Sequence, residues 1–136
     1  MITEAKVKRA VERYMDSKGY MKVTSREKHE PGCDLVFRYR GGGRYCYVEA
    51  KGDSRGKSQM ETKLVHGLGQ IVTRYRGHRN YLSGLAVPAT WKRRALRKVS
   101  RDARKALRLD VFLVDEESRV STIPLKEYTP RKALHA

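Results

Sequence analysis

Apolar positions set the first element: Ala5, Val7, Ala10, Val11, Tyr14 and Met15 recur with a helical period, predicting an amphipathic helix from about Thr3 to Lys18. Thr3 suits its N-cap, and Gly19 suits its end. Tyr20 to Glu27 then alternates and carries β-branched residues, the pattern of a strand. A polar turn through His29, Glu30, Pro31 and Gly32 leads to two alternating runs on either side of Gly41, Gly42 and Gly43, the pattern of a hairpin. A second helix is predicted over roughly Ser58 to Tyr75, with Met60, Leu64, Leu68, Ile71, Val72 and Tyr75 as its apolar stripe. Residues 80–87 read as a strand closed by Pro88. A third helix follows over about Thr90 to Arg108, with Trp91, Ala95, Val99, Ala103 and Ala106 on one side. "LDVFLVDEE" is a nearly continuous apolar run, which suits a strand buried on both faces, and "RVSTIPL" gives a short last strand. Helices alternating with strands in this order predict an α/β fold, a mixed sheet with helices on both faces. The expectation is a single domain over residues 1–136, with a core at about 3–87, a basic helix and C-terminal strands at 88–128, and a loose tail at 129–136.

Residue parity in the hairpin sorts its side chains. Leu35, Phe37, Cys46, Val48 and Ala50 fall on one face, which is apolar. A register with Val36 opposite Tyr47 and Asp34 opposite Glu49 puts Asp34, Glu49 and Lys51 together on the other. A one-residue slip would mix polar groups into the apolar face, so the pattern itself selects this register.

The composition narrows the partners. Lys plus Arg number 31 against 15 acidic residues, a formal charge of +16, and such an excess attracts polyanions by steering and counterion release. Nucleic acid is the expected partner. A membrane partner is not expected, because a strongly amphipathic basic helix with bulky apolar anchors is lacking, as is an apolar run of membrane-spanning length. The first residues lack the apolar core of a secretory signal, so a cytoplasmic location is expected. Cys33 and Cys46 are too few for a disulfide framework or structural zinc site and read as buried thiols. His29, His66, His78 and His135 show no ligand spacing.

Two carboxylates opposed on a sheet repel each other. A divalent cation relieves this: Mg²⁺ takes one or two carboxylates and keeps several waters. Lys51 would project beside the same ion, where it could position a water or offset phosphate charge. A solvated charged ladder is the bland alternative.

Asp34 entering one strand, with Glu49-Ala50-Lys51 on its hairpin partner, resembles the signature of the PD-(D/E)XK nucleases, set in an α-β-β-β-α-β core. Cys33 stands directly before the aspartate, and Pro31 two positions earlier. The resemblance implies a restriction-endonuclease-like fold and Mg²⁺-dependent hydrolysis of DNA phosphodiester bonds, with Mn²⁺ able to substitute. It implies Asp34, Glu49 and the Ala50 backbone carbonyl as metal ligands, and Lys51 as the residue that orients the attacking water. The opening helix is similar to that of virus-type replication-repair nucleases and archaeal junction resolvases, which implies a glutamate joining the metal site. Glu4 fits that position and Glu12, two turns later, competes. Gln70 matches a glutamine that these branches carry near the metal, with His66 a weaker match. Gly67 and Gly69 bracket Gln70's face of the helix and suggest close packing there. A homodimer acting as a junction resolvase or repair endonuclease is a further implication.

Arg94, Arg97, Arg101, Arg104 and Arg108 follow a three-four spacing and, on one continuous helix, would form a phosphate-binding stripe. Arg38, Arg40 and Arg44 around the hairpin tip, Lys57 in the loop after Lys51, and Arg74 would extend this basic surface. Phosphate contacts of this kind position a protein without conveying sequence. Two other functions fit the composition: a non-catalytic nucleic-acid-binding module of the same fold in a larger assembly, and a basic structural protein of a ribonucleoprotein.

Overall fold

The computed structural model describes residues 1–23, 34–75, 77 and 80–129. In chain order these form α1 (Glu4–Ser17), β1 (Tyr20–Lys22), β2 (Leu35–Tyr39), β3 (Tyr45–Ala50), α2 (Lys57–Arg74), β4 (Tyr81–Pro88), α3 (Lys92–Lys98), α4 (Arg101–Leu107), β5 (Leu109–Val114) and β6 (Val120–Thr122), with 3₁₀ turns at Ala89–Trp91 and Leu125–Glu127. The strands make one six-stranded sheet in the order β1-β2-β3-β4-β5-β6. The pairs β1–β2, β2–β3 and β5–β6 are antiparallel, and β3–β4 and β4–β5 are parallel. The fold is therefore α/β with a mixed sheet.

The layering follows from handedness. Two successive parallel crossovers stepping in the same direction, each right-handed, must put their helices on the same face. Accordingly α2 and the α3–α4 segment share one face, where Leu64, Ile71, Trp91, Ala95 and Val99 pack on Leu85, Val87, Leu109, Val111 and Leu113. The opposite face is left for α1, whose Val7, Ala10, Val11 and Met15 pack on Leu35, Phe37, Cys46, Val48 and Phe112. Thr3 caps α1 by accepting a hydrogen bond from the Lys6 amide at 3.1 Å, and Gly19 leaves the helix with φ +90°. Cys46 is a buried free thiol, as expected. Among the described residues no helix is long and apolar enough to cross a membrane.

The third helix departs from expectation. It is broken at Val99, which is extended and buried, and Ser100 begins a new helix by accepting from the Ala103 amide at 3.1 Å. Bringing Val99 into the core and giving the next turn a serine cap outweighs the continuity of a polar, arginine-rich helix. Arg108 closes α4 in the left-handed region at φ +50°. Lys57 is the first residue of α2, not a loop residue. The expected strand from Tyr20 to Glu27 is observed over Tyr20–Lys22, while residues 24–33, with the His29–Gly32 turn and Cys33, lie outside the described residues, as do His78 and residues 130–136.

One glycine fixes how α1 meets the strand end that carries the charges. A Cβ on Gly52 would stand 2.3 Å from the Glu4 amide nitrogen and 2.7 Å from the Thr3 carbonyl carbon. These are backbone atoms, which cannot swing aside. Gly52→Ala is expected to lower stability by about 1–3 kcal/mol, the usual range for overpacking, read as a fall in the urea midpoint with unchanged slope.

Candidate active site at the Asp34–Glu49 strand ends

The hairpin adopts the register that parity selects: Val36 pairs with Tyr47 and Leu35 with Val48, so one step further sets Asp34 against Glu49. Asp34 precedes β2, and its Oδ2 accepts from the Ala50 amide at 2.9 Å, closing the end of the ladder. Glu49 is fully buried and pairs with Leu85 of β4, on the sheet face that α2 covers. Arg74, in the last turn of α2, donates through Nη2 to Glu49 Oε1. Glu49 Oε2 is buried with no hydrogen-bond partner. Burial pushes the Glu49 carboxyl above the usual carboxylate range; the Asp34 charge adds to this, and Arg74 opposes it.

Lys51 lies two residues on, with Nζ 3.5 Å from Gln70 Oε1, a long contact that places the two side chains together. Their approach depends on Gly67, where a Cβ would meet Leu85 Cδ1 at 3.0 Å and Lys51 Cε at 3.3 Å. Gly69 faces open space, so the close-packing expectation holds for Gly67 and not for its neighbour. His66 is exposed one turn before Gln70.

Helix α1 completes the cluster. Lys8 Nζ stands 3.6 Å from Asp34 Oδ1 and 3.4 Å from Glu4 Oε2. Burial opposes the Lys8 charge, but the Asp34 and Glu4 carboxylates outweigh it and raise its pKa. Glu12 instead pairs with Lys22 Nζ at 2.9 Å, about 12 Å along the helix axis from Glu4. Of the two glutamates, Glu4 is the one beside Asp34. The cluster thus opposes Glu4, Asp34 and Glu49 to Lys8, Lys51 and Arg74.

Sequence reasoning missed Lys8, whose i,i+4 spacing from Glu4 was the available signal, and it missed Arg74 as the partner of Glu49. It also missed Asp53. Asp53 Oδ2 accepts from the Ile2 amide at 2.8 Å and Oδ1 from Trp91 Nε1 at 3.3 Å, while the Asp53 amide donates to the Ile2 carbonyl at 2.7 Å. It ties the loop after β3 to the N-terminus and to the base of α3.

Among the described residues, no three His, Cys, Asp or Glu side chains group closely enough to hold a metal ion. The donor set is narrower: two carboxylates and the Ala50 carbonyl beside them. That set is all oxygen, suits a hard cation that retains water, and includes the unpaired Oε2 of Glu49. The residues therefore fit Mg²⁺ or Mn²⁺, provided the positive side chains now on the carboxylates give way.

The expected arginine surface needs correction. With the helix broken, the three-four spacing no longer defines one face, and internal partners hold several of the side chains. Arg94 and Lys98 both bind Glu61 at 3.0 Å, Arg104 binds Asp110 at 2.7 Å, and Arg101 Nη2 donates to the Lys126 carbonyl at 3.1 Å. Arg97 and Arg108 are exposed. The hairpin arginines Arg38, Arg40 and Arg44 flank the tip of β2–β3, a strand length of about 17 Å from Glu49, and Arg40 binds Asp16 at 2.5 Å. Lys57 is exposed at the start of α2.

No family model matches the chain, and no curated protein does. Among solved structures the chain is similar to an XisH family protein from Nostoc punctiforme, at 14% identity and a TM-score of 0.56, over 88% of this chain and 99% of that one. At this identity the likeness concerns the fold.

Proposed function

We propose that the chain is a divalent-metal-dependent nuclease of the PD-(D/E)XK type, hydrolysing DNA phosphodiester bonds. The observation that carries this reading is Glu49: a fully buried carboxylate, one oxygen unpaired, at a strand end beside Asp34 and two residues from Lys51. A buried carboxylate oxygen without a partner costs about 1–3 kcal/mol or more, so its retention suits a site that receives a cation. Asp34, Glu49 and the Ala50 carbonyl would hold Mg²⁺ or Mn²⁺, while Glu4, which meets Asp34 through Lys8, lies outside that donor set. The ion supplies Lewis acidity toward the phosphoryl group. Lys51, set against Gln70, orients the attacking water and offsets phosphate charge. The +16 charge draws the substrate in. A structure-selective enzyme such as a junction resolvase or repair endonuclease, working as a homodimer, is the form of this reading.

A second reading has its own observation. Arg74 on Glu49 and Lys8 on Asp34 already neutralise both carboxylates, which suits a non-catalytic nucleic-acid-binding module of the same fold. The test is incubation of supercoiled plasmid, four-way junctions, flaps and single strands with Mg²⁺, Mn²⁺ or EDTA. Cutting that requires the metal supports the nuclease; tight binding without cutting of any substrate supports the module.

Both readings predict the same binding surface. Arg97→Ala is expected to weaken DNA binding and to reduce the slope of log affinity against log salt by about 1. Arg104→Ala, whose guanidinium is committed to Asp110, should leave that slope unchanged. Equal slopes for wild type and Arg97→Ala would remove α3 from the interface.

A further inference from the structure

We propose, resting on the nuclease reading above, that Arg74 couples metal binding to nucleic-acid binding. Its guanidinium holds Glu49 when no nucleic acid is present, and transfers to a backbone phosphate when one is, which frees Glu49 for the divalent cation.

Charge supports the exchange. Glu4, Asp34 and Glu49 balance Lys8, Lys51 and Arg74. A divalent cation entering this balanced cluster would leave an excess of two positive charges around the fully buried Glu49, where water screens poorly. The same cation entering with a phosphate, which brings negative charge and draws Arg74 off, meets two free carboxylate oxygens on Glu49. The guanidinium fork matches phosphate as well as carboxylate geometry, so Arg74 loses little in changing partners.

The geometry also permits it. Arg74 is the last residue of α2, and Tyr75 after it is already extended, at φ −61° and ψ 131°. The Tyr75 hydroxyl donates to the Ala106 carbonyl at 3.0 Å. The arginine thus sits at a helix end pinned from the next residue, where its side chain can swing without moving the helix. The Glu49 side chain is 1% exposed and the Arg74 side chain 11%, so the arginine is the member of the pair with a route outward.

Linkage makes the consequence reciprocal: the factor by which nucleic acid tightens the metal is the factor by which the metal tightens nucleic acid. The test titrates Mn²⁺ by its free-ion electron paramagnetic resonance signal against the full chain, alone and saturated with a non-cleavable duplex oligonucleotide, after subtraction of Mn²⁺ held by the oligonucleotide. Mn²⁺ affinity is expected to rise at least tenfold with the oligonucleotide, and oligonucleotide affinity to rise by the same factor with Mn²⁺. Arg74→Gln is expected to bind Mn²⁺ more tightly than wild type in isolation and to bring the ratio close to one. Arg74→Lys, which keeps the charge and loses the fork, should fall between and serves if the glutamine variant does not fold. Mn²⁺ binding that Glu49→Gln abolishes, but that is indifferent to the oligonucleotide, would overturn the coupling and leave the nuclease reading standing. Mn²⁺ binding insensitive to Glu49→Gln would overturn both.

Discussion

Asp34→Asn and Lys51→Ala are each expected to reduce metal-dependent DNA cleavage by about 10²-fold or more, on the scale that positioned acid–base and charge-stabilising groups contribute. Neither should weaken DNA binding measured in EDTA by more than the loss of one cationic contact. The two losses have different origins. Asp34 is a half-buried carboxylate with one oxygen on the Ala50 amide and the other facing Lys8. Asparagine keeps the shape and one hydrogen-bonding oxygen but removes the charge that a cation requires. Lys51 is set by Gln70 and by the space over Gly67, so its removal leaves the carboxylates in place and takes away the group that the proposed nuclease would use to orient water. Glu12→Gln is the control, since Glu12 is engaged with Lys22, and should cleave like wild type. Cleavage retained in both the Asp34 and Lys51 variants would remove the hairpin from the chemistry.

Arg74→Ala is expected to cost about 3–5 kcal/mol of stability at neutral pH, the range for leaving one member of a buried ion pair unpaired. The pH dependence identifies the cause. Glu49 already has a raised pKa in the folded protein, through burial first and Asp34 second, and Arg74 is the group that restrains it. Without Arg74 the folded-state value rises further, while the unfolded-state value stays ordinary. A carboxyl raised on folding favours the native state when protonated. The variant is therefore least impaired below the ordinary carboxylate range, and loses stability as pH rises from there through the folded-state pKa. Urea denaturation from pH 4 to 8 should show the gap from wild type widening with pH, and Glu49→Gln added to Arg74→Ala should close much of it. A gap constant across that range would show that Arg74 acts through packing alone.

The hairpin was legible because its chemistry is tied to its core. Val36 meets Tyr47 because a one-residue slip would set Tyr47 and Glu49 among Leu35, Phe37 and Val48. The ends of α1 were equally legible, because Thr3 and Gly19 act within one turn of chain. The break at Val99 was not. Ser100 reads as an ordinary surface position until Val99 is drawn into the core formed with β5, a tertiary demand that local spacing does not carry. The choice between Glu4 and Glu12 likewise depends on Gly52 seating the start of α1 against the end of β3. The counter-ions of the site come from α1 and the far end of α2, so only the folded sheet brings Lys8 and Arg74 to the carboxylates. Strand length likewise sets the arginines at the tip of β2–β3 apart from its charged end.

The most direct measurement is anomalous diffraction from crystals of the protein grown with Mn²⁺ and a non-cleavable oligonucleotide. An Mn²⁺ peak is expected between the Asp34 and Glu49 carboxylates, with Arg74 lifted from Glu49 onto a phosphate. Arg74 still seated on Glu49, with no Mn²⁺ at either carboxylate, would contradict this expectation.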